Sequence, residues 1–150
     1  MIIKSKIDLT KLGERIHRSN YDFIVGKNDR NEHLGNDKYG NYAEEIRQNR
    51  FLPQYGFSDA EFNKKGFRQM RKELQIFYGA GIEEGALMDI RLDLFLKNPT
   101  IFHMVFDFIR PDGKLAAKAY SADAFLKKEN GVWKPSRKIP QFFIEAIRNV

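Results

Sequence analysis

The 150-residue sequence contains no cysteine. This absence excludes disulfides, thiolate metal sites and a cysteine nucleophile, and it is compatible with a reducing compartment without requiring one. Long apolar runs are also missing. Charges interrupt residues 1–8 every few positions, unlike a signal peptide, and no segment approaches the roughly 20 apolar residues that span a bilayer. We therefore expect a cytoplasmic protein with no membrane partner.

Common catalytic and cofactor motifs are missing too. There is no His-x-x-x-His, His-Glu-x-x-His or Gly-x-Ser-x-Gly pattern, and Gly79-Ala80-Gly81 is not followed by the Lys-Ser/Thr of a phosphate loop. His17 and His103 have no partner at ligand spacing and are interpreted as core or surface residues. The sequence therefore predicts no metal and no cofactor.

Apolar residues and positive charge are both present in quantity. Hydrophobic residues make up 42%, with 13 phenylalanines, which predicts a folded core in a single domain over residues 1–150. The net charge of +6 fits either a solvated lysine-rich surface or attraction for an anionic partner, such as the phosphates of CoA, an acidic carrier protein or nucleic acid. Since no cluster of five or more Lys and Arg occurs along the chain, a nucleic-acid partner is not predicted.

The first half of the chain predicts helices around one strand. A short helix is expected over residues 8–16, a strand over 19–27 and a long helix over 36–51, ended by Pro53. The long helix has an apolar stripe formed by Tyr39, Tyr42, Ala43 and Ile46. Gly40, which weakens this helix, is interpreted as a point of close approach by another backbone. Ser58 to Glu61 has the capping-box pattern of a short second helix.

The second half changes to the period of β-strands. We expect strands over residues 67–78, 86–97, 100–110 and 114–126, joined as a meander, then a short helix over 140–147. Tight turns are predicted at Asn98-Pro99 and at Pro111-Asp112-Gly113. The resulting fold class is α+β, in which one long helix packs against a curved antiparallel sheet of about five strands.

The stretch between the first strand and the long helix is dense in polar residues with chemical uses. Asp29 can act as a general base or nucleophile, Asn31 can donate a hydrogen bond to an oxyanion, and His33 can transfer protons near neutral pH. The helix N-terminus that follows offers free amide N–H groups. By composition alone, such a segment is more often a turn than a site.

This stretch resembles the entry to the central helix of the 4-hydroxybenzoyl-CoA thioesterase-like hotdog family. Its members commonly have Asp, then Gly-His-Val-Asn-Asn, then Tyr, and a helix ending near Glu-Glu-Ala-Arg. The residues at matching positions are Asp29, His33, Asn36, Tyr39 and Glu44-Glu45-Ile46-Arg47. The form Asp-x-Asn-x-His is also similar to the acyl-carrier-protein thioesterases, in which all three residues belong to the active site. A weaker likeness extends over residues 19–147.

The resemblance implies a metal-free hydrolase of acyl-CoA or acyl-carrier-protein thioesters. Its catalytic residues would be Asp29, Asn31 and His33, with Gly35, Asn36 and Tyr39 binding the oxyanion or substrate. The sequence departs from the family pattern at three positions, with Glu32 before the histidine, Gly35 in place of the first asparagine, and Gly79 near an expected acidic residue. Glu44 or Glu45 on the helix is therefore a possible accessory carboxylate.

The family also implies an assembly, because its members generally pair through their sheets. We expect a homodimer or homotetramer with its sites at the interface. Two alternatives remain open. One is a non-catalytic hotdog module that binds acyl groups or is structural, and the other is a different hotdog enzyme such as a hydratase-dehydratase.

Overall fold

A computed structural model describes residues 8–26, 38–83 and 85–148, and within them six strands form one antiparallel sheet. The strands are β1 (Glu14–Ile24), β2 (Phe67–Tyr78), β3 (Leu87–Leu96), β4 (Phe102–Ile109), β5 (Leu115–Glu129) and β6 (Val132–Pro135). The helices are a 3-10 turn (Leu9–Lys11), α1 (Lys38–Ile46), a π turn (Arg47–Phe51), α2 (Leu52–Gln54), α3 (Asp59–Lys64) and α4 (Gln141–Arg148).

The strand order is β1-β3-β4-β5-β2, with β6 paired to the end of β5. The predicted turns at 98–99 and 110–113 do join β3 to β4 and β4 to β5 as hairpins. The expected four-strand meander is wrong at its first member, because β2 pairs with β5 and forms an edge of the sheet. A chain reversal at a turn fixes neighbouring strands, whereas the partner of β2 is chosen by long-range packing.

One long helix of 17 residues covers the inner face of this sheet, as predicted for an α+β fold. Its stripe of Tyr39, Ala43 and Ile46 is buried, and the ring of Tyr39 contacts that of Phe108 at 5.1 Å between centroids. We call the continuous segment 38–54 the central helix. It runs along β2 in the opposite direction, since Gly40 lies beside Ile76 while Arg47 is bonded to Gln69.

The helix does not end before Pro53, contrary to the expectation from the sequence. Pro53 lies in the first turn of α2, which continues the π turn without a break. In that turn the amide of Leu52 donates to the carbonyl oxygen of Arg47, five residues back. The wider turn accommodates a proline ring that would collide with the carbonyl of residue i−4 in a regular α-helix.

The predicted helix over residues 8–16 is also wrong. Only Leu9–Lys11 form a 3-10 turn, capped by the Asp8 carboxylate, and β1 already begins at Glu14. Gly13, with φ +94°, ends the turn. A side chain there would overlap the backbone of Lys97, so this glycine lets β1 start close against the end of β3.

The strand predicted over 19–27 begins five residues earlier, at Glu14, and ends at Ile24, while the other predicted strands and α4 shift only slightly at their ends. The bounds of β2 are as predicted, and Ser58 caps α3 by accepting a hydrogen bond from the Glu61 amide at 3.0 Å. The short strand β6 was not predicted. Within the described residues, no helix is long and apolar enough to cross a membrane.

The two faces of the sheet bury different kinds of side chain. The inner face and the central helix share the large apolar core. On the outer face, Asp93 and Asp107 are buried within ion pairs, Asp93 with Arg18 at 2.6 Å and Asp107 with Lys118 at 2.9 Å. Extra residues at Ile16 in β1 and Lys72 in β2 interrupt the pairing, and such bulges bend a strand.

Candidate active site

Five of the predicted site residues lie outside the described part of the chain: Asp29, Asn31, His33, Gly35 and Asn36. Their segment leads directly into α1, which starts at Lys38. Tyr39 is described, and its ring is buried between Phe108 and Tyr78. Burial, followed by the effect of Tyr78, raises the pKa of Tyr39 to about 12, so its hydroxyl keeps its proton at neutral pH.

The two helix carboxylates differ sharply in their surroundings. Glu45 is exposed and has no ion pair among the described residues. Glu44 is half-buried and accepts hydrogen bonds from Arg47 Nε at 3.0 Å and Nη2 at 2.7 Å, and its other oxygen lies 3.5 Å from Arg71 Nη2. Of the two predicted accessory carboxylates, only Glu44 therefore belongs to a polar cluster.

Arg47 holds this cluster together. Its guanidinium is buried and contacts Asp59 through both terminal nitrogens, at 3.0 and 2.9 Å, while Nη1 also donates to Gln69 at 3.1 Å. Arg47 is the first residue of the π turn, a distortion found frequently at functional sites. The arginine thus joins the central helix to α3 and to β2.

A second, deeper carboxylate faces the same cluster from the sheet. Asp123 in β5 is almost completely buried, accepts a hydrogen bond from the Ser121 hydroxyl at 2.6 Å, and lies 3.7 Å from Arg71 Nε. Burial raises the pKa of Asp123, an effect partly opposed by Ser121 and by the charge of Arg71. Arg71 Nε and Asp123 Oδ1 face each other without a hydrogen bond between them, and neither atom has another hydrogen-bond partner among the described residues.

Two neighbouring cavities open along this cluster. The carboxylate cleft, of about 130 Å³, is lined by Glu44, Arg47, Gln69, Arg71 and Asp123. The outer cavity, of about 320 Å³, is lined by Arg47, Asp59, Asn63, Arg68 and Gln69. The two share Arg47 and Gln69, so a groove runs between the central helix and the edge strand β2. With cations and carboxylates in its walls, the groove can bind a polar chain and polarise a carbonyl group.

Another buried titratable side chain on the inner face, His17, does not line either cavity. His17 in β1 shares a hydrogen bond of 2.5 Å with the hydroxyl of Tyr55 and packs edge-on against Phe51. Burial lowers the pKa of His17 to about 4, so the imidazole is neutral. His17 is thus a core residue, one of the two positions, core or surface, that were expected for it.

Four members of the polar cluster were not predicted from the sequence: Asp59, Gln69, Arg71 and Asp123. For Asp123 a signal exists in the pattern of β5, because it falls on the same face as Ala117, Ala119 and Phe125, all buried. A charged residue at a core-facing strand position is rare unless it is paired. The others could not be found this way, since their meeting depends on the pairing of β2 with β5.

Comparisons with known proteins agree on the fold. No protein-family model matches the chain, and no curated protein matches it by sequence. Among solved structures, it is similar to a DHNA-CoA thioesterase from Staphylococcus aureus, with 15% identity, a TM-score of 0.71, and 88% of this chain and 89% of that one covered. It is also similar to a Staphylococcus aureus protein solved in complex with CoA, with 16% identity, a TM-score of 0.74, and 92% and 84% covered.

A third similar structure is the 4-hydroxybenzoyl-CoA thioesterase from a Pseudomonas strain, with 12% identity, a TM-score of 0.72, and 86% of this chain and 98% of that one covered. The chain therefore has the hotdog fold, as predicted. Several of the solved structures that share this fold with it are thioesterases.

Proposed function

We propose that this protein hydrolyses an acyl thioester, with acyl-CoA or an acyl-carrier protein as substrate and without a metal. The observation that carries the proposal is that Asp29-x-Asn31-x-His33 precedes, along the sequence, the central helix of a hotdog fold shared with CoA thioesterases. The CoA complex of one similar structure supports the CoA form of the substrate.

In the proposed mechanism, the first amides of the central helix polarise the thioester carbonyl, near Gly35 and Asn36. Asp29 activates a water molecule or attacks the carbonyl carbon directly, Asn31 orients the carbonyl or the water, and His33 relays a proton to the leaving thiolate. The products are the free acid and the thiol.

In this mechanism Glu44 is the accessory carboxylate beside the catalytic residues, and Tyr39 binds the substrate. Glu44 lies six residues after Lys38, about 9 Å along the helix from its N-terminus, so a thioester bound there is within reach of the carboxylate cleft. Since Arg47 and Arg71 neutralise Glu44, we assign it to positioning of the substrate and keep Asp29 as the base.

The test is thiol release from a panel of acyl-CoA and acyl-carrier-protein thioesters. Wild type should turn over at least one thioester, and Asp29→Asn should lose roughly 100-fold or more in rate, with His33→Ala also impaired. Asp22→Asn is the matched control, because Asp22 is an exposed carboxylate near the end of β1. A loss of activity in Asp22→Asn equal to that in Asp29→Asn would contradict the assignment.

A non-catalytic acyl-binding module is the second candidate. The specific observation in its favour is that the carboxylate of Glu44 is fully engaged by Arg47 and Arg71. If wild type hydrolyses no thioester on either carrier, and Asp29→Asn and His33→Ala match it, the binding module replaces the hydrolase.

A further inference from the structure

The net positive charge of this protein is concentrated at one end of the molecule. Residues 65–68 and 127–138 contain seven Lys and Arg and one Glu, a net charge of +6 that equals that of the whole chain. The remaining 19 basic and 19 acidic residues balance. We call these two segments the basic end; its cations are Lys65, Arg68, Lys127, Lys128, Lys134, Arg137 and Lys138.

Folding brings the two segments of the basic end together. The amide of Lys128 donates to the carbonyl oxygen of Gly66 at 2.8 Å, Phe67 of β2 faces Lys127 of β5, and Lys127 faces Lys134 of β6. The β5–β6 hairpin and the start of β2 thus form one continuous surface.

The cations of the basic end are unneutralised. All seven side chains are exposed, and none has an ion pair with any residue in the described ranges. On the outer face of the sheet, by contrast, Arg18, Arg91 and Lys118 pair with Asp93 and Asp107. Like charges crowded without counterions destabilise a fold, so their retention here points to an anionic partner.

Shape separates the possible partners. An open groove of about 680 Å³ contains Lys127, Lys134, Arg137 and Lys138 in its wall, together with one carboxylate, Glu129. Lys128 and Arg68 lie apart from that groove, at the ring of Trp133. The cations are thus divided between this groove and the ring of Trp133. A macromolecule with a broad anionic surface can contact both sets at once, which favours it over a single nucleotide.

Trp133 favours a protein as the partner rather than a single-stranded nucleic acid. Trp133 is the one tryptophan of the sequence, and its ring already carries the Arg68 guanidinium at 4.2 Å and the Lys128 ammonium at 5.8 Å. Binding of single strands uses aromatic rings on which bases stack, and this ring is occupied by cations.

The basic end also lies beside the groove that runs between the central helix and β2. Arg68 lines the outer cavity, which shares Arg47 and Gln69 with the carboxylate cleft. Lys127 is four residues from Asp123 along β5, a separation of about 13 Å. The basic end therefore adjoins the outer cavity at Arg68, and the outer cavity adjoins the cleft beside the central helix.

We propose that the basic end is the docking surface for an acidic acyl-carrier protein, whose phosphopantetheine arm enters the groove between β2 and the central helix. The proposal rests on the thioesterase function proposed above, and it selects the carrier protein over CoA as the acyl donor.

Trp133 provides a direct readout of docking. The titrant is a small acidic carrier protein without tryptophan, carrying an octanoyl group on its phosphopantetheine. Wild type is compared with the triple variant Lys134→Glu/Arg137→Glu/Lys138→Glu. The matched control is Lys11→Glu/Lys97→Glu/Lys114→Glu, which changes the net charge equally at exposed lysines outside the basic end. Circular dichroism and urea unfolding check that both variants fold.

We expect a saturable change in Trp133 emission that weakens with added salt, since charged docking surfaces are screened by ions. The dissociation constant should rise about 10-fold or more in the triple variant and less than about 2-fold in the control. The KM for octanoyl-CoA should stay within about 2-fold of wild type in both variants.

Three results would overturn the proposal. One is no emission change with the carrier protein while a DNA oligonucleotide produces one. Another is an equal loss of carrier binding in the triple variant and the control, and the third is an equal rise of KM for octanoyl-CoA and for the carrier protein. Because emission reports binding and thiol release reports hydrolysis, saturable carrier binding with no hydrolysis of either thioester would reject the hydrolase and leave the docking surface standing.

Discussion

Arg47 connects three elements through one buried guanidinium. It donates to Glu44 on the central helix, to Asp59 at the start of α3 and to Gln69 on β2. Both carboxylates keep partial access to water, so the charges left behind by its removal would be partly solvated. The contribution of Arg47 therefore lies in charge-assisted hydrogen bonds rather than in a fully dehydrated ion pair.

We predict that Arg47→Ala lowers the free energy of unfolding by about 2 kcal/mol, because several hydrogen bonds to charged groups are lost. Urea unfolding measures the change. Arg137→Ala is the control, since Arg137 is exposed and unpaired within the described residues, and it should stay within about 0.5 kcal/mol of wild type. Equal stability of the two variants would show that the Arg47 network contributes nothing.

His17 makes stability depend on pH. Its pKa is near 6.5 in the unfolded chain and about 4 in the fold, because burial disfavours the imidazolium. The unfolded state therefore takes up the proton first as pH falls. The stability associated with neutral His17 is complete above pH 6.5 and is lost between about pH 6.5 and 4, by up to about 3 kcal/mol.

Comparison of wild type with His17→Gln isolates this effect from that of the carboxylates. The free energy of unfolding of wild type should fall more steeply than that of the variant between pH 6.5 and 4, when both are followed by urea unfolding. Parallel pH profiles would mean that folding does not lower the pKa of His17.

At the scale of elements, the central helix contains a glycine that its packing does not require. A Cβ at Gly40 would meet the side-chain ends of Ile76 at 3.7 Å and Leu74 at 4.0 Å, which are ordinary contacts. The interpretation of Gly40 as a close approach of another backbone is therefore wrong for the described residues. What remains is the entropic cost of glycine within a helix.

Gly40→Ala should raise the free energy of unfolding by about 0.5–1 kcal/mol, because alanine loses less backbone entropy on folding. The contrasting variant is Gly113→Ala. Gly113 has φ +84° in the turn between β4 and β5, so alanine there should lower the thermal midpoint while Gly40→Ala raises it. A destabilised Gly40→Ala would indicate that this position contacts a partner subunit.

At the scale of the whole molecule, both outer strands of the sheet have an open edge among the described residues. The edge at β2 is the better candidate for the proposed dimer, because Leu74 there is exposed on the side of the central helix. Exposed long edges with apolar side chains favour pairing with another chain.

We predict a homodimer or homotetramer in solution, and a shift towards monomer in Leu74→Asp, because a charge in an apolar interface is costly. Light scattering coupled to gel filtration measures the mass. Leu87→Asp is the matched control, since Leu87 is a leucine of similar exposure on β3, which is paired on both sides and is not an edge strand. Dissociation by Leu87→Asp alone would place the interface elsewhere.

Local patterns in the sequence determined most elements of this fold. The alternation within the predicted strand 86–97, the turn at 110–113 and the Ser58 cap each depend on neighbouring residues, and each was predicted. The helix stripe of Tyr39, Ala43 and Ile46 likewise predicted which face packs on the sheet. These features are readable because they follow from the periods of helix and strand and from local hydrogen bonding.

Tertiary structure alone decided the partner of β2, the passage of the helix through Pro53 and the assembly of the polar groove. Glu44, Arg71 and Asp123 are far apart in sequence and meet because β2 pairs with β5 beneath the helix. The basic end forms in the same way, from two segments too short to stand out in the sequence. Contacts across long separations depend on how the whole core packs, and no local pattern encodes them.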